Sequence, residues 1–206
     1  MITTKATPRL NGEANKLLVG DRPVHDWYRF VLSYPPHLVR EYLQQFGVTY
    51  KKLVLDPFCG TGTTLVECKK MGVPSVGTEA NPMAHLACKV KTDWAPDPVA
   101  LYKSAQRIAD QAIERLQVEG FEDEPMPRNL SLVAQCRSLP AEVVKLILSE
   151  SISALPLHKT LVLRDCIERA RSHAKGHFQV ALAKAIVFSI SNLRSEERRV
   201  GKECRL

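Results

Sequence analysis

The stretch Leu53 to Thr64, LVLDPFCGTGTT, constrains this 206-residue chain more than any other. Lys52 to Leu55 reads as an apolar strand, and Asp56 falls at its carboxyl end, where open α/β sheets hold their ligands. Gly60 and Gly62 give the backbone freedom for a sharp turn and leave no Cβ in the way of a ligand. Thr63 and Thr64 then open a helix that runs to Met71, whose free N–H groups and dipole favour an anionic group such as a carboxylate. Gly72 sits where a helix-ending glycine is expected.

A second strand is expected over Val73 to Thr78, closed by Glu79, 23 residues after Asp56. An acid about 20 residues past a glycine turn is the usual partner of ribose hydroxyls. Asn81-Pro82 starts the next helix, with Pro in a first-turn position where its missing N–H costs nothing. The loop also sorts the nucleoside cofactors. A dinucleotide fingerprint wants GxGxxG, but Leu65 stands at the third glycine position, and no Lys follows Gly62 as a phosphate-binding loop requires. A cofactor without a pyrophosphate is expected, and S-adenosylmethionine fits: adenosine for Glu79, an amino acid head for the loop.

DPFCGTGTT followed by VGTEANP closely resembles motifs I and II of the DNA amino-methyltransferases, which methylate the exocyclic amino group of cytosine or adenine. The resemblance implies that Asp56, Phe58, Gly60, Gly62, Thr63 and Thr64 line the methionine half of the cofactor and that Glu79 holds the ribose. Pro57, Cys59, Thr61, Ala80 and Asn81 complete the cofactor-binding set within those motifs. Upstream, HDWYRFVLSYPPHLV leads into an amphipathic helix, Leu38 to Phe46. It resembles the family's motif X, which folds back over the methionine moiety and would add Tyr34 and Pro35 to the site. An aromatic packing segment, with Trp27, Phe30 and Tyr34 covering the sheet, is the structural alternative.

The family holds its target amine, a weak nucleophile with a conjugated lone pair, against a Ser/Asp/Asn-Pro-Pro-aromatic string. That string occurs nowhere in the 206 residues; in Ser33-Tyr34-Pro35-Pro36-His37 the polar residue is not adjacent to the prolines and His37 replaces the aromatic. No catalytic residue is therefore assigned. Arg194 to Cys204, RSEERRVGKEC, reads as the in-frame translation of a common sequencing-library adapter, so the native sequence is expected to stop near Leu193 as an N-terminal fragment. Without residues 194–206 the chain has 24 Lys and Arg against 19 Asp and Glu, net +5 instead of +7. This mild basicity suits a polyanion partner.

With 45% hydrophobic and 25% charged residues the composition is that of an ordinary globular protein. No apolar run reaches the ~18 residues of a membrane span, and the polar N-terminus lacks a signal sequence, so a cytoplasmic location is expected. Cys59, Cys68, Cys88, Cys136 and Cys166 form no CxxC pair or even framework. Cys59 reads as a small packing residue, since a nucleophilic role would need a Pro-Cys motif. His173 and His177 in HAKGH, near Cys166, lack a fourth ligand, and no metal is expected.

Past the second strand, helices are expected over Pro98 to Val118, Ala141 to Leu148, Lys159 to His173 and His177 to Ser191. Pro140 and Pro156 mark boundaries, and Glu119 to Asn129 is an acidic loop. In the first of these helices Val99, Tyr102, Ala105, Ile108, Ala109, Ala112, Ile113 and Leu116 form one apolar face.

The expected fold is α/β: a partial Rossmann-like methyltransferase core with two parallel strands and a large all-helical insertion, one sheet edge exposed and the core underfilled. Its parts are a polar arm (1–24), the cofactor-binding part (25–97), the insertion (98–193, a candidate for part of the target-recognition region) and the adapter tail (194–206). The resemblance implies a site-specific DNA methyltransferase, cytosine being favoured, using S-adenosyl-L-methionine on double-stranded DNA beside a cognate restriction endonuclease. Two alternatives stay open. One is a tRNA guanine-amino methyltransferase, although those carry an RNA-binding module where only about 50 residues precede the strand. The other is a cofactor-binding module without activity of its own.

Overall fold

The computed structural model describes residues 16–30, 33–121, 130–145 and 151–191. The Arg194 to Cys204 string, residues 1–15 of the polar arm and 122–129 of the acidic loop lie outside them. The chain falls into two compact units, Met1–Trp94 and Ala95–Leu206.

The first unit starts with a 3-10 turn, Val19–Asp21, and a short helix α1, Arg22–His25, followed by α2, Pro36–Gln45. Strand β1, Val54–Asp56, leads through the glycine loop into α3, Thr63–Lys70; β2, Ser75–Gly77, leads into α4, Pro82–Thr92. The strands pair in parallel, Val54 opposite Ser75, Leu55 opposite Val76 and Asp56 opposite Gly77, with α3 as their crossover. Both strands are shorter than their apolar runs, because the ladder extends only as far as the partner does.

Helix α3 ends as Gly72 at φ +67° allows. Val73 N donates to Cys68 O at 2.8 Å and Gly72 N to Lys69 O at 3.2 Å, closing a Schellman turn. Cys68 and Val73 then pack with Val39 and Leu43 of α2 into a small core. Helix α2 starts two residues before the expected Leu38, since Pro36 is tolerated in a first turn. The opposite face of the sheet is bare: the cross-strand partners Leu55 and Val76 are 65% and 48% exposed.

The second unit is helical in its described residues. Helix α5 spans Pro98–Val118, as its periodicity predicts, capped by the Asp97 side chain on the N–H groups of Val99 and Ala100. Helices α6, Ala141–Val144, α7, Ala154–Arg169, and α8, Lys175–Ala185, follow, and a π turn covers Ile186–Ile190. Ile108, Ala112 and Leu116 pack with Phe121, Leu155, Val162, Cys166, Ile167 and Phe178. Val99 and Tyr102, on the apolar face read from the sequence, stay exposed.

Several boundaries differ from expectation: α6 ends at Val144, with 146–148 of the expected Ala141 to Leu148 outside the described residues, and α8 begins at Lys175, two residues before His177. Helix α7 begins five residues before Lys159 and contains Pro156 in its first turn, where no N–H is needed. It ends at Arg169, with Ala170 extended, so His173 lies in a turn and His177 in the next helix.

Candidate functional site: the glycine loop and its clasp

The loop after β1 is organised by its own side chains. Asp56 Oδ1 accepts from Phe58 N at 3.1 Å, and Thr78 Oγ1 donates to Pro57 O at 2.6 Å. The Tyr34 hydroxyl lies 2.6 Å from Thr64 Oγ1 and donates to Asp56 Oδ2 at 3.2 Å. Tyr34, Asp56 and Thr64, 30 residues apart at the extremes, thus form one rim. Burial, with the Asp56 charge adding to it, pushes the Tyr34 phenol above its ordinary range.

The two loop glycines have different surroundings. Gly60 has φ +52° and a Cβ there would meet nothing within 4 Å. Gly62 has φ +88°, and its Cβ would fall 2.7 Å from Cys88 Sγ and 3.1 Å from Cys88 Cα. Gly62 is required by the close passage of α4 under the loop; Gly60 alone faces open space. Cys59 and Cys88 lie with their Sγ atoms 3.8 Å apart, both buried. Burial and the neighbouring sulfur push the Cys88 thiol up to about 12, and burial raises Cys59. Both are packing thiols, protonated at neutral pH.

Helix α3 begins at Thr63 with Gly62 as N-cap and no side-chain cap on its first N–H groups, a geometry that suits an anion. Glu79 stands at the end of β2 as expected. Its Oε2 accepts from Gly60 N at 2.8 Å and its Oε1 from Asn81 N at 2.8 Å, so it bridges the two turns. Asn81 Oδ1 caps α4 by accepting from Met83 N at 2.9 Å and Ala84 N at 3.1 Å.

Of the sequence-selected residues, Tyr34, Pro35, Thr61 and Thr63 line one small pocket together with Arg29 and Lys91. Cys59, Thr61, Gly62 and Thr63 are buried, while Pro57, Phe58, Ala80 and Asn81 are exposed at the mouth, Phe58 at 87%. Gly60, with open space above it, and the free helix start fit an amino-acid nucleoside. Two residues were missed. Lys91 of α4 is 1% exposed and donates from Nζ to Thr61 Oγ1 at 3.2 Å. Glu67 of α3 is fully buried and accepts from His25, Arg40 and Lys70. A carboxylate placed between the apolar Val66 and Cys68 was the available signal.

Among the described residues no group of three or more His, Cys, Asp or Glu could hold a metal ion, and no helix is long and apolar enough to cross a membrane.

Residues 15–89, which contain the loop, the rim of Tyr34, Asp56 and Thr64, and Glu79, match the DNA methylase family of N6/N4 methyltransferases. The type II methyltransferase M.BsoBI of Geobacillus stearothermophilus is 32% identical over 80 residues, 39% of this chain and 15% of the relative. M.MjaII of Methanocaldococcus jannaschii is 38% identical over 69 residues, 33% of this chain and 13% of the relative. M.MvaI of Kocuria varians is 34% identical over 89 residues, 42% of this chain and 18% of the relative. The chain thus matches less than a fifth of the length of these curated relatives, and no solved structure matches it. Over residues 15–89 the chain is similar to the DNA amino-methyltransferases of the N6/N4 class, the family that its loop sequence resembles.

Proposed function

We propose that this chain binds S-adenosylmethionine as the cofactor-binding part of a site-specific DNA methyltransferase acting on an exocyclic amino group of cytosine or adenine. The observation that carries the reading is the meeting of Tyr34, Asp56 and Thr64 beside a Gly60 with open space above it. When bound, S-adenosylmethionine supplies a methyl group on a sulfonium, ready for a nitrogen nucleophile. The N–H groups at the start of α3 take the carboxylate, and Asp56 draws the ammonium group of the same head. Glu79 accepts from the ribose hydroxyls; a carboxylate has about four lone-pair sites, and two already take backbone N–H groups. Phe58, exposed at the mouth, offers a flat apolar face.

In this reading β1 and β2 are the first two strands of a Rossmann-like core, and the helical unit is an insertion in it. Double-stranded DNA is the macromolecular partner, and the type II naming of the relatives supports a cognate restriction endonuclease beside it. The string that holds the target amine in the family is not among the 206 residues. The same absence favours a second reading of the chain by itself, a cofactor-binding module without turnover.

Isothermal titration with S-adenosylmethionine, paired with a radiolabelled methyl-transfer assay on duplex DNA, tests both readings. Binding without transfer supports the module, binding with transfer the enzyme, and no binding refutes the site.

A further inference from the structure

We infer that Glu67 is a positioning residue for the cofactor site: its buried carboxylate ties the segments on both sides of Tyr34 to α3 and thereby seats Tyr34 on Asp56 and Thr64. The inference rests on the proposed cofactor site and adds to it a residue that touches none of the rim.

Glu67 is fully buried on α3, the helix that starts at the loop. Its Oε1 accepts from His25 Nε2 at 2.6 Å and from Lys70 Nζ at 2.8 Å, and its Oε2 accepts from Arg40 Nη1 at 2.5 Å. Arg40 also donates to both oxygens of Asp21, at 2.8 and 3.0 Å. His25 closes α1 and Arg40 lies on α2, so one carboxylate grips the chain nine residues before Tyr34 and six residues after it. Tyr34 itself is 44% exposed, and the bonds of its side chain are those of its hydroxyl to the rim. A half-exposed ring leaves the direction of the hydroxyl dependent on where the flanking backbone holds the residue. Its position is therefore set by the two flanks.

A carboxylate is retained in an apolar interior only when several donors compensate its lost hydration. Lys70, on the same helix, supplies part of that compensation, whereas His25 and Arg40 are 42 and 27 residues away in sequence. The compensation therefore requires α1 and α2 to be in place.

The test uses Glu67→Gln in the full chain, which keeps the side-chain volume and removes the charge, with Tyr34→Phe and the double variant. Tyr34 is probed without any cofactor by tetranitromethane nitration read by peptide mass spectrometry, with exposed Tyr50 as internal reference. Nitration of Tyr34 is expected to rise several-fold in Glu67→Gln with Tyr50 unchanged; an unchanged Tyr34 overturns the inference. In titrations, S-adenosylmethionine should weaken about tenfold in Glu67→Gln but no further when Tyr34→Phe is already present, the non-additivity of residues acting through one contact. Additive losses would mean that Glu67 acts only on stability and would also overturn it. A wild-type chain that binds no S-adenosylmethionine refutes the proposed function, and the nitration result then still decides the positioning claim.

Discussion

The two glycines of the loop should separate folding from binding. In Gly62→Ala the new Cβ stands 2.7 Å from Cys88 Sγ, 3.1 Å from Cys88 Cα and 3.2 Å from Cys88 Cβ, with the backbone at φ +88°. The left-handed conformation costs an alanine roughly 1–2 kcal/mol, and an overpacked contact roughly 1–3 kcal/mol more. A loss of about 3 kcal/mol is expected, a large share of the ~5–15 kcal/mol that stabilises a domain. Gly60→Ala incurs only the first cost, about 1 kcal/mol, because nothing lies within 4 Å of its Cβ. That Cβ instead enters the space assigned to the cofactor, so affinity for S-adenosylmethionine should fall at least about tenfold, ~1.4 kcal/mol. Both tryptophans, Trp27 and Trp94, lie in the first unit, so urea melts followed by tryptophan fluorescence report on that unit. Cys88→Ala removes the nearest clashing atom and should recover part of the Gly62→Ala loss. Equal destabilisation by the two glycine substitutions, or no coupling between Gly62 and Cys88, would refute the reasoning.

Burial acts to raise the Glu67 pKa, but the hydrogen bonds from His25, Lys70 and Arg40 outweigh it and hold the group at about 2 against an ordinary 4.5. The unfolded chain thus binds the proton more tightly. The contribution of this group, about 3 kcal/mol by linkage, is present above pH 4.5 and is lost as pH falls toward 2. Acid titration of tryptophan fluorescence should show this slope, and Glu67→Gln should flatten it. Asn81→Ala should cost about 1 kcal/mol by uncapping α4, read as a lower urea midpoint; no shift would mean that the cap bonds are not formed. Cys59 and Cys88, buried and with raised thiol pKa values, should resist iodoacetamide at pH 8 in the native chain and react only in urea, as mapped by mass spectrometry.

The local parts of the site were legible in the sequence because their causes are local. An apolar strand ending in Asp56, glycines that permit positive φ, and Asn81-Pro82 as a capped start each act within a few residues. So does Gly72, whose Schellman turn links residues five apart in the chain. Where the sequence reading strayed, a weak local signal met a non-local one. Pro156 looked like a boundary, yet α7 starts before it, since a proline in a first turn removes only an N–H that had no helical partner. Gly62 read from the sequence as clearance for a ligand, and the structure adds a second constraint on it, the close approach of Cys88, 26 residues further on. The apolar stripe of α5 ran the whole helix, and among the described residues Ile108, Ala112 and Leu116 are the stripe positions buried in the core, with Leu101 packed against it.

By itself the sequence determined that a strand, a glycine turn and a helix carry an acid at each strand end, because hydrophobic period, turn chemistry and capping are properties of neighbouring residues. Only the tertiary structure decided that Tyr34 meets Asp56 and Thr64, and that a carboxylate inside α3 binds His25 and Arg40 from 42 and 27 residues away. Burial of a charge selects its partners by position in space, and no spacing along the chain encodes that choice.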